Sequence, residues 1–195
     1  MTAIAVYVFP DAEELDFVGP WEVLSAWARQ WPDDGVSVFA VGDAAGEIRC
    51  AKGLRVVPDY SWDTAPPFDV LVFPGGRGTR RQLDDGAGAA RLRSLSEAGV
   101  LLASVCTGSL VLAAAGLLRG RPATTHWGSL DHLQRIDPSI EVRPDDRFVD
   151  DGDIITASGV SAGIDMALHL VSRLHSPGRA REVRRYIQYD PEPPV

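Results

Sequence analysis

The stretch from Gly99 to Gly116, GVLLASVCTGSLVLAAAG, constrains this chain more than any other. It opens as an unbroken apolar run, Val100 to Val105, and closes as a small-residue helical pattern, Leu110 to Ala115. A run that is apolar on both faces suits an inner strand of a parallel sheet covered by helices on either side. Cys106 stands at the junction, with Ser104 two residues before it and Gly108 two residues after. Small-x-nucleophile-x-small between strand and helix is the spacing of a nucleophile elbow, a turn too sharp for bulky flanks that holds its central residue strained and exposed. At a helix N-terminus the thiol would meet unpaired N–H groups and the positive end of the dipole, so its pKa is expected to be lowered. The N–H of Thr107 is expected to point where an oxyanion could form. The alternative for Cys106 is a buried structural cysteine, since unpaired cysteines are among the most buried residues.

Strand and helix patterns alternate along the whole sequence, which predicts one α/β domain over residues 1–195 with a mainly parallel sheet. Ala3 to Phe9 reads as the first strand. Gly19-Pro20 reads as a helix start, with proline in the first turn, and so leaves Asp16 in the loop before it. Loops at the carboxyl ends of parallel strands line the binding crevice, and Cys106 belongs to the same edge. Asp16 and Cys106 can therefore converge; otherwise Asp16 is a capping or turn residue. Val36 to Val41 is a second strand, and residues 46–58 read as a strand pair around Lys52-Gly53 that contains a structural or incidental Cys50. Asp69 to Phe73 is a third core strand ending in Pro74-Gly75-Gly76. The N–H groups of Gly75 and Gly76 are candidates for the second half of an oxyanion hole.

Residues 86–98 read as a helix with Ala90, Leu92 and Leu95 inward. His126 and Trp127 follow a short β-branched stretch and are expected at a strand end. There His126 is either a base for Cys106 or a hydrogen-bonded structural histidine. Residues 129–136 form a helix pattern; 140–142, 148–149 and 153–157 read as short strands. Ser158 to Gly163 opens a long helix to Leu174, and its small residues would allow close packing under the site. A last helix, 178–188, precedes a proline-rich tail that cannot continue it and is expected to pack across the domain or a partner subunit.

The 19 Lys and Arg against 27 Asp and Glu leave a net charge of −8, which argues against nucleic-acid or anionic-membrane partners. The basic cluster from Arg179 to Arg185 reads as a solvated helix face. Two cysteines make no disulfide framework. No apolar run approaches the ~20 residues of a membrane span, and the N-terminus lacks the basic n-region of a signal peptide. A cytoplasmic location is the expectation. No histidine pairs with another ligand at a familiar spacing, so no metal and no cofactor are expected. His132, His169 and His175 read as packing or surface residues.

Taken together, Phe73-Pro-Gly-Gly76, Ser104-Val-Cys-Thr-Gly108, Ala123-Thr-Thr-His-Trp127 and Ser158-Gly-Val-Ser-Ala-Gly-Ile-Asp165 resemble the ThiJ/PfpI superfamily, with its class I glutamine-amidotransferase-like fold. The resemblance covers essentially the whole chain. It implies a three-layer, flavodoxin-like sandwich, and members include proteases, glyoxalases, chaperones, hydratases and regulator domains. Leu15-Asp16-Phe-Val-Gly-Pro20, the Cys106-Thr107 pair and the ending Tyr186 to Pro194 look most like the isonitrile hydratase family, whose members add water to an isonitrile to give an N-substituted formamide. That likeness implies Cys106 as nucleophile, Asp16 and Thr107 as its essential companions, a small-molecule substrate and a homodimer. Trp127 and Phe17 are candidate walls for the substrate's apolar group. The competing readings are a redox or electrophile sensor, a hydrolase or glyoxalase using Cys106 with His126, and a ligand-binding module without turnover. The AraC-type regulators share the elbow and the Thr-His-Trp segment, but no basic DNA-binding domain follows in this sequence.

Overall fold

The computed structural model describes residues 1–191; the last residues of the proline-rich tail, 192–195, lie outside the described residues. Seven strands make the central sheet: β1 (Thr2–Tyr7), β2 (Val36–Gly42), β3 (Tyr60–Ser61), β4 (Val70–Phe73), β5 (Leu101–Val105), β6 (Phe148–Asp150) and β7 (Ile154–Ala157). Their order across the sheet is β6-β7-β5-β4-β1-β2-β3, and every pairing is parallel except β6 with β7. Every residue of β4, β5 and β7 is buried, which accounts for their unbroken apolar runs.

Among the described residues six helices of seven residues or more flank the sheet, α1 (Glu14–Gln30), α2 (Gly86–Glu97), α3 (Gly108–Ala114), α4 (Leu130–Ile136), α5 (Ala162–Leu174) and α6 (Pro177–Tyr186), and a single short turn of helix spans Thr79–Gln82. α1, α5 and α6 pack on one another in one layer, and α2, α3 and α4 in another. The expected three-layer α/β sandwich with a flavodoxin-like sheet is therefore present. The strand order reverses between β1, which leads through α1 to β2, and β4, which leads through α2 to β5. A crevice opens at such a reversal, at the carboxyl ends of the strands. Residues 46–58 form the expected antiparallel ribbon, pairing Ile48–Arg49 with Arg55–Val56.

α1 begins at Glu14, before the Gly19-Pro20 pair that the sequence suggests as its start, and Pro20 lies inside it. The preference of proline for a first turn yields here to tertiary packing. The buried face of α1 runs through Asp16, Phe17, Gly19, Pro20, Val23, Leu24 and Trp27. At its crossing with α5, a Cβ on Gly19 would lie 3.0 Å from Ile164, and one on Gly163 would lie 3.1 Å from Val105 and 3.2 Å from Pro20. These two glycines let the helices approach.

Two smaller expectations are also corrected. Ala90 is exposed, while Ala89, Leu92 and Leu95 face inward. Ala90 and Leu92 are two residues apart, about 200° around a helix, and cannot share a face. Arg179 is not solvated. Its Nε and Nη2 donate to Asp34 at 2.6 and 3.0 Å, and its guanidinium stacks over Trp31 at 4.7 Å. Asp34 also accepts from Trp27 Nε1 at 2.7 Å, so this cluster pins α6 to the end of α1. The tail begins packed on α5, where Tyr189 donates to Asp165 at 3.0 Å. Among the described residues no helix is long and apolar enough to cross a membrane.

A Gly163→Val substitution should overpack the α1–α5 crossing and lower stability by about 1–3 kcal/mol. A drop in the urea midpoint at unchanged slope is the expected result.

Candidate active site

The elbow forms where β5 ends at Val105 and α3 begins at Gly108. Cys106 has φ +56°, a left-handed conformation that costs a non-glycine residue about 1–2 kcal/mol and survives only where neighbours enforce it. They do so here. The Cys106 N–H donates to the carbonyls of Ala157 and Ser158, both at 3.0 Å. The Cys106 carbonyl accepts from Thr125 Oγ1 at 2.9 Å and Ser109 Oγ at 3.1 Å. A Cβ on Gly108 would lie 2.6 Å from the Phe73 carbonyl oxygen, so the second small flank of the elbow is a steric requirement. The residue is strained as expected, but it is 6% exposed rather than open.

Asp16 sits in the first turn of α1, not in a loop, and is fully buried. Its Oδ2 accepts from the N–H of Gly75 at 2.9 Å. Its Oδ1 is buried and makes no hydrogen bond of normal geometry. The Cys106 thiol lies against this carboxyl group. Burial, opposed by the Gly75 N–H and the thiol, pushes the Asp16 carboxyl up to about 7. Burial first, and then the Asp16 carboxylate, push the Cys106 thiol up to about 12, against the N–H groups of Thr107 and Val160, which favour the thiolate. The expected lowering of the thiol pKa is thus reversed. The N–H of Thr107 at the head of α3 and that of Val160 before α5 are outweighed by dehydration and an adjacent carboxylate.

The structure brings Thr107, Gly75 and Gly76 to the same place. A Cβ on Gly75 would lie 2.5 Å from Thr107 N, 2.7 Å from Thr107 Oγ1 and 2.8 Å from Asp16 Oδ2. Only glycine fits there. The N–H of Gly76 donates to Thr107 Oγ1 at 3.0 Å. Both glycine N–H groups are therefore occupied, one by the aspartate and one by the threonine. They brace the crevice instead of standing free as oxyanion donors. Thr79 completes the brace, donating to the Gly76 carbonyl at 2.7 Å, with its Oγ1 3.3 Å from Thr107 Oγ1.

His126 lies against the loop beside the elbow: a Cβ on Gly159 would be 2.7 Å from its Cδ2. Its Nδ1 accepts the N–H of Gly128 at 3.2 Å, and among the described residues no hydrogen bond joins it to Cys106. The ring thus has a main-chain partner of its own. Trp127 packs beside His126, ring centroids 5.4 Å apart, and is 78% exposed. Phe17 is separate from the group. It is buried and lines a cavity of about 230 Å³ with Val8, Trp21, Ala40, Val56 and Pro58, none of which touches the elbow's hydrogen bonds. It points about 100° around α1 from Asp16, as neighbouring positions on a helix do, and so away from the elbow. Cys50 is buried and unpaired, its thiol raised to about 11 by burial and by Glu14 and Asp11. Sequence reasoning missed Thr79, Thr125 and Val160. Val160 lies in the Ser158–Gly163 stretch, whose small residues signalled only packing.

The raised Asp16 pKa has a consequence for stability. The folded protein holds this proton more tightly than the unfolded chain, so the group's contribution is fully present below about pH 4 and is lost as pH rises through about 7. Asp16→Asn, which cannot ionise, should match wild type at pH 4. By pH 8 it should be more stable by on the order of 2–4 kcal/mol, read as a gap in melting temperature that opens between those values.

Comparison with known proteins follows the same residues. The model of the DJ-1/PfpI family matches residues 2–173. The isonitrile hydratase of Pseudomonas putida is 38% identical over 191 residues, covering 98% of this chain and 80% of that protein. The HTH-type transcriptional regulator CdhR of Pseudomonas aeruginosa is 36% identical over 176 residues, 90% of this chain, but the chain spans only 52% of its length. Among solved structures, a ThiJ/PfpI family protein from Pseudomonas syringae superimposes with a TM-score of 0.87 at 32% identity, covering all of this chain and 77% of that one. Fold, elbow and sequence agree, and the chain belongs to the DJ-1/PfpI family.

Proposed function

We propose that this protein is an isonitrile hydratase, adding water to R–N≡C to give R–NH–CHO, with Cys106 as nucleophile and Asp16 as the proton carrier. The observation that carries the reading is the buried Asp16–Cys106 pair, in which the thiol lies against a carboxyl group with one oxygen fixed by Gly75 and the other without a hydrogen-bond partner. Similarity to the P. putida hydratase over nearly the whole chain supports it.

An isonitrile carbon accepts a nucleophile and a proton at the same atom. The pair supplies both. Oδ2 is committed to the Gly75 N–H, so a proton held by Asp16 sits on Oδ1. As sulfur adds to the carbon, the thiol proton passes to Oδ1 and on to that carbon, giving a thioimidate, R–N=CH–S–Cys106. A water then adds at the carbon. Asp16 takes a proton from it and delivers one to nitrogen, giving R–NH–CH(OH)–S–Cys106. Collapse to the formamide returns the electron pair to sulfur, and the hydroxyl proton returns through Asp16 to the thiol. Atoms and charge balance, and no group from outside the chain is needed. Thr107 serves this sequence by holding Gly76, and through it the Gly75 contact to Asp16. Trp127, exposed beside His126 next to the elbow, is the side chain offered to the apolar group R.

What weighs against a redox or electrophile sensor is the burial of the thiol, because such sensors rely on an accessible thiolate.

Turnover of cyclohexyl isocyanide, followed by formamide release, tests the roles. Cys106→Ser should lose at least about 10³-fold in kcat. Asp16→Asn should lose about 10²–10⁴-fold. His126→Ala should lose less than about tenfold, short of what an acid–base group contributes. Retained activity in Cys106→Ser would refute the nucleophile.

The pH profile supplies a separate check. The working form has lost one proton from the coupled pair, whose lower titration, about 7, is set by the buried Asp16 carboxyl. kcat/KM should therefore rise with pH through about 7 and stay level through pH 9. A profile already flat from pH 5 would contradict the assignment of the proton to Asp16.

A further inference from the structure

Gly76 has one main-chain donor and one acceptor, and both end on the same pair of hydroxyls. Its φ is +118°, and a Cβ there would collide with the Glu13 nitrogen and the Asp11 carbonyl oxygen. The Gly76 N–H donates to Thr107 Oγ1 at 3.0 Å, and the Thr79 hydroxyl donates to the Gly76 carbonyl at 2.7 Å. The two hydroxyl oxygens lie 3.3 Å apart. An N–H can only donate, a carbonyl can only accept, and each hydroxyl has a single proton. The Thr79 proton is on the carbonyl, its nearest acceptor. The Thr107 proton then has two acceptors, Thr79 Oγ1 and the Gly76 carbonyl, both at 3.3 Å. A closed ring results, from the Gly76 N–H through Thr107 and Thr79 back to the Gly76 carbonyl. Arg80 supports it from outside, its Nη1 3.2 Å from that carbonyl and 3.3 Å from Thr79 Oγ1. Both threonines are buried, so bulk water does not replace either partner.

We propose that Thr79 is a positioning residue for the reaction: by closing this ring it holds the Gly75–Gly76 peptide in the orientation that keeps the Gly75 N–H on Asp16. The proposal rests on Asp16 being the proton carrier. That peptide has two handles. Its carbonyl accepts the Glu13 N–H at 3.0 Å, and its N–H goes to Thr107. Two successive glycines give the backbone little stiffness of its own, so the handles decide where the segment sits. Without the Thr79 hydroxyl, Thr107 loses one of its two acceptors and the Gly76 carbonyl loses its shortest donor. The Gly75 N–H favours the ionised carboxylate, and of the contacts that oppose burial of Asp16 it is the larger. Loosening it therefore makes Asp16 hold its proton more tightly. The other titratable group against Asp16 is the Cys106 thiol, from the elbow. Glu13 and Glu14, next to it along the chain, are engaged by Lys52, through Nζ and through its N–H at 2.6 Å, respectively. Arg80 stands beyond the Gly76 carbonyl. The ring also gives Thr107 its part: its hydroxyl is spent on Gly76 and Thr79, so it acts through the peptide and not on the substrate.

The test removes the hydroxyl and keeps the shape. Thr79→Val does so, and Thr79→Ser retains the hydroxyl. The full chain, labelled with carbon-13 at the aspartate carboxyl carbons, is titrated by NMR from pH 5 to 9, and the Asp16 signal is the one missing in Asp16→Asn. This reads the proton without isonitrile turnover. In Thr79→Val the Asp16 midpoint should move up by about one pH unit, a tenfold gain in proton affinity, as weakening of a hydrogen bond to a charged group implies. Thr79→Ser should return it to the wild-type position. Thr107→Val should move it by a similar amount, and the double variant no further, because a ring broken once is already open. In turnover, Thr79→Val should lower kcat/KM about tenfold at pH 6 and regain most of the loss by pH 9. An unmoved Asp16 midpoint in Thr79→Val overturns the proposal, even where stability falls. So does a serine variant displaced as far as the valine one, or a double variant whose displacement is the sum of the two. Thr79→Ala removes the same hydroxyl and decides the matter in the same way if the valine variant does not fold. Absence of turnover in the wild type, with the NMR displacement present, counts against the hydratase reading alone.

Discussion

The site depends on one hydrogen bond, from the main-chain N–H of Gly75 to Oδ2 of Asp16 at 2.9 Å. It joins the segment after β4 to the first turn of the helix after β1, across the point where the strand order reverses. Parallel topology creates a crevice there but leaves it open. This contact closes its floor. It also decides which carboxylate oxygen is committed and which is left without a partner. Everything near it is shaped to permit it. Glycine at 75 leaves no Cβ where three polar atoms crowd within 2.8 Å, and glycine at 108 clears the Phe73 carbonyl so that the elbow can sit over the same segment. Thr107 and Thr79 hold Gly76 from the far side.

Burial then sets the chemistry. A thiol at the head of a helix, with N–H groups directed at it, is ordinarily read as a thiolate. Here the same thiol is raised to about 12 and its aspartate neighbour to about 7. Both shifts run toward the neutral form, because dehydration penalises each charge and the Asp16 carboxylate further disfavours the thiolate, while the thiol by itself favours the ionised carboxylate. The pair gives up its first proton near neutrality and its second only in strong base. Such a pair holds one mobile proton over the physiological range. That is a different device from a standing thiolate, and it suits a reaction in which sulfur and proton must arrive at one carbon together.

Much of this was legible in the residue order. The elbow was readable because it combines three independent constraints: an apolar run only an inner strand can bury, small residues at fixed offsets, and a helix pattern directly after. Asp16 was readable as a possible companion only through topology, since both residues fall at carboxyl ends of strands. Its exact setting was not. Gly19-Pro20 looked like a helix start, and the packing of those two residues on Gly163 and Ile164 overrode that local preference. Phe17 shared the Asp16 motif yet points toward Val8 and Val56, because helical geometry sets adjacent residues about 100° apart. Val160 gave no signal at all. Valine is the residue one would least expect at a positive φ, and only its neighbours' contacts put it there.

What the sequence by itself determined was the set of local outcomes with short range: the buried strands, the alternation that makes a three-layer sandwich, the glycine turns and the place of Cys106 at the strand-to-helix elbow. These follow from periodicity and sterics acting over a few residues. What only the tertiary structure decided was every property that depends on distant groups sharing a dry space. The direction of the thiol pKa, the occupation of the glycine N–H groups, the free oxygen of Asp16 and the turn at Val160 all belong to that class. Desolvation and close-range electrostatics are set by what surrounds a group in three dimensions, and residues 16, 75, 106 and 160 come together only when the sheet has formed.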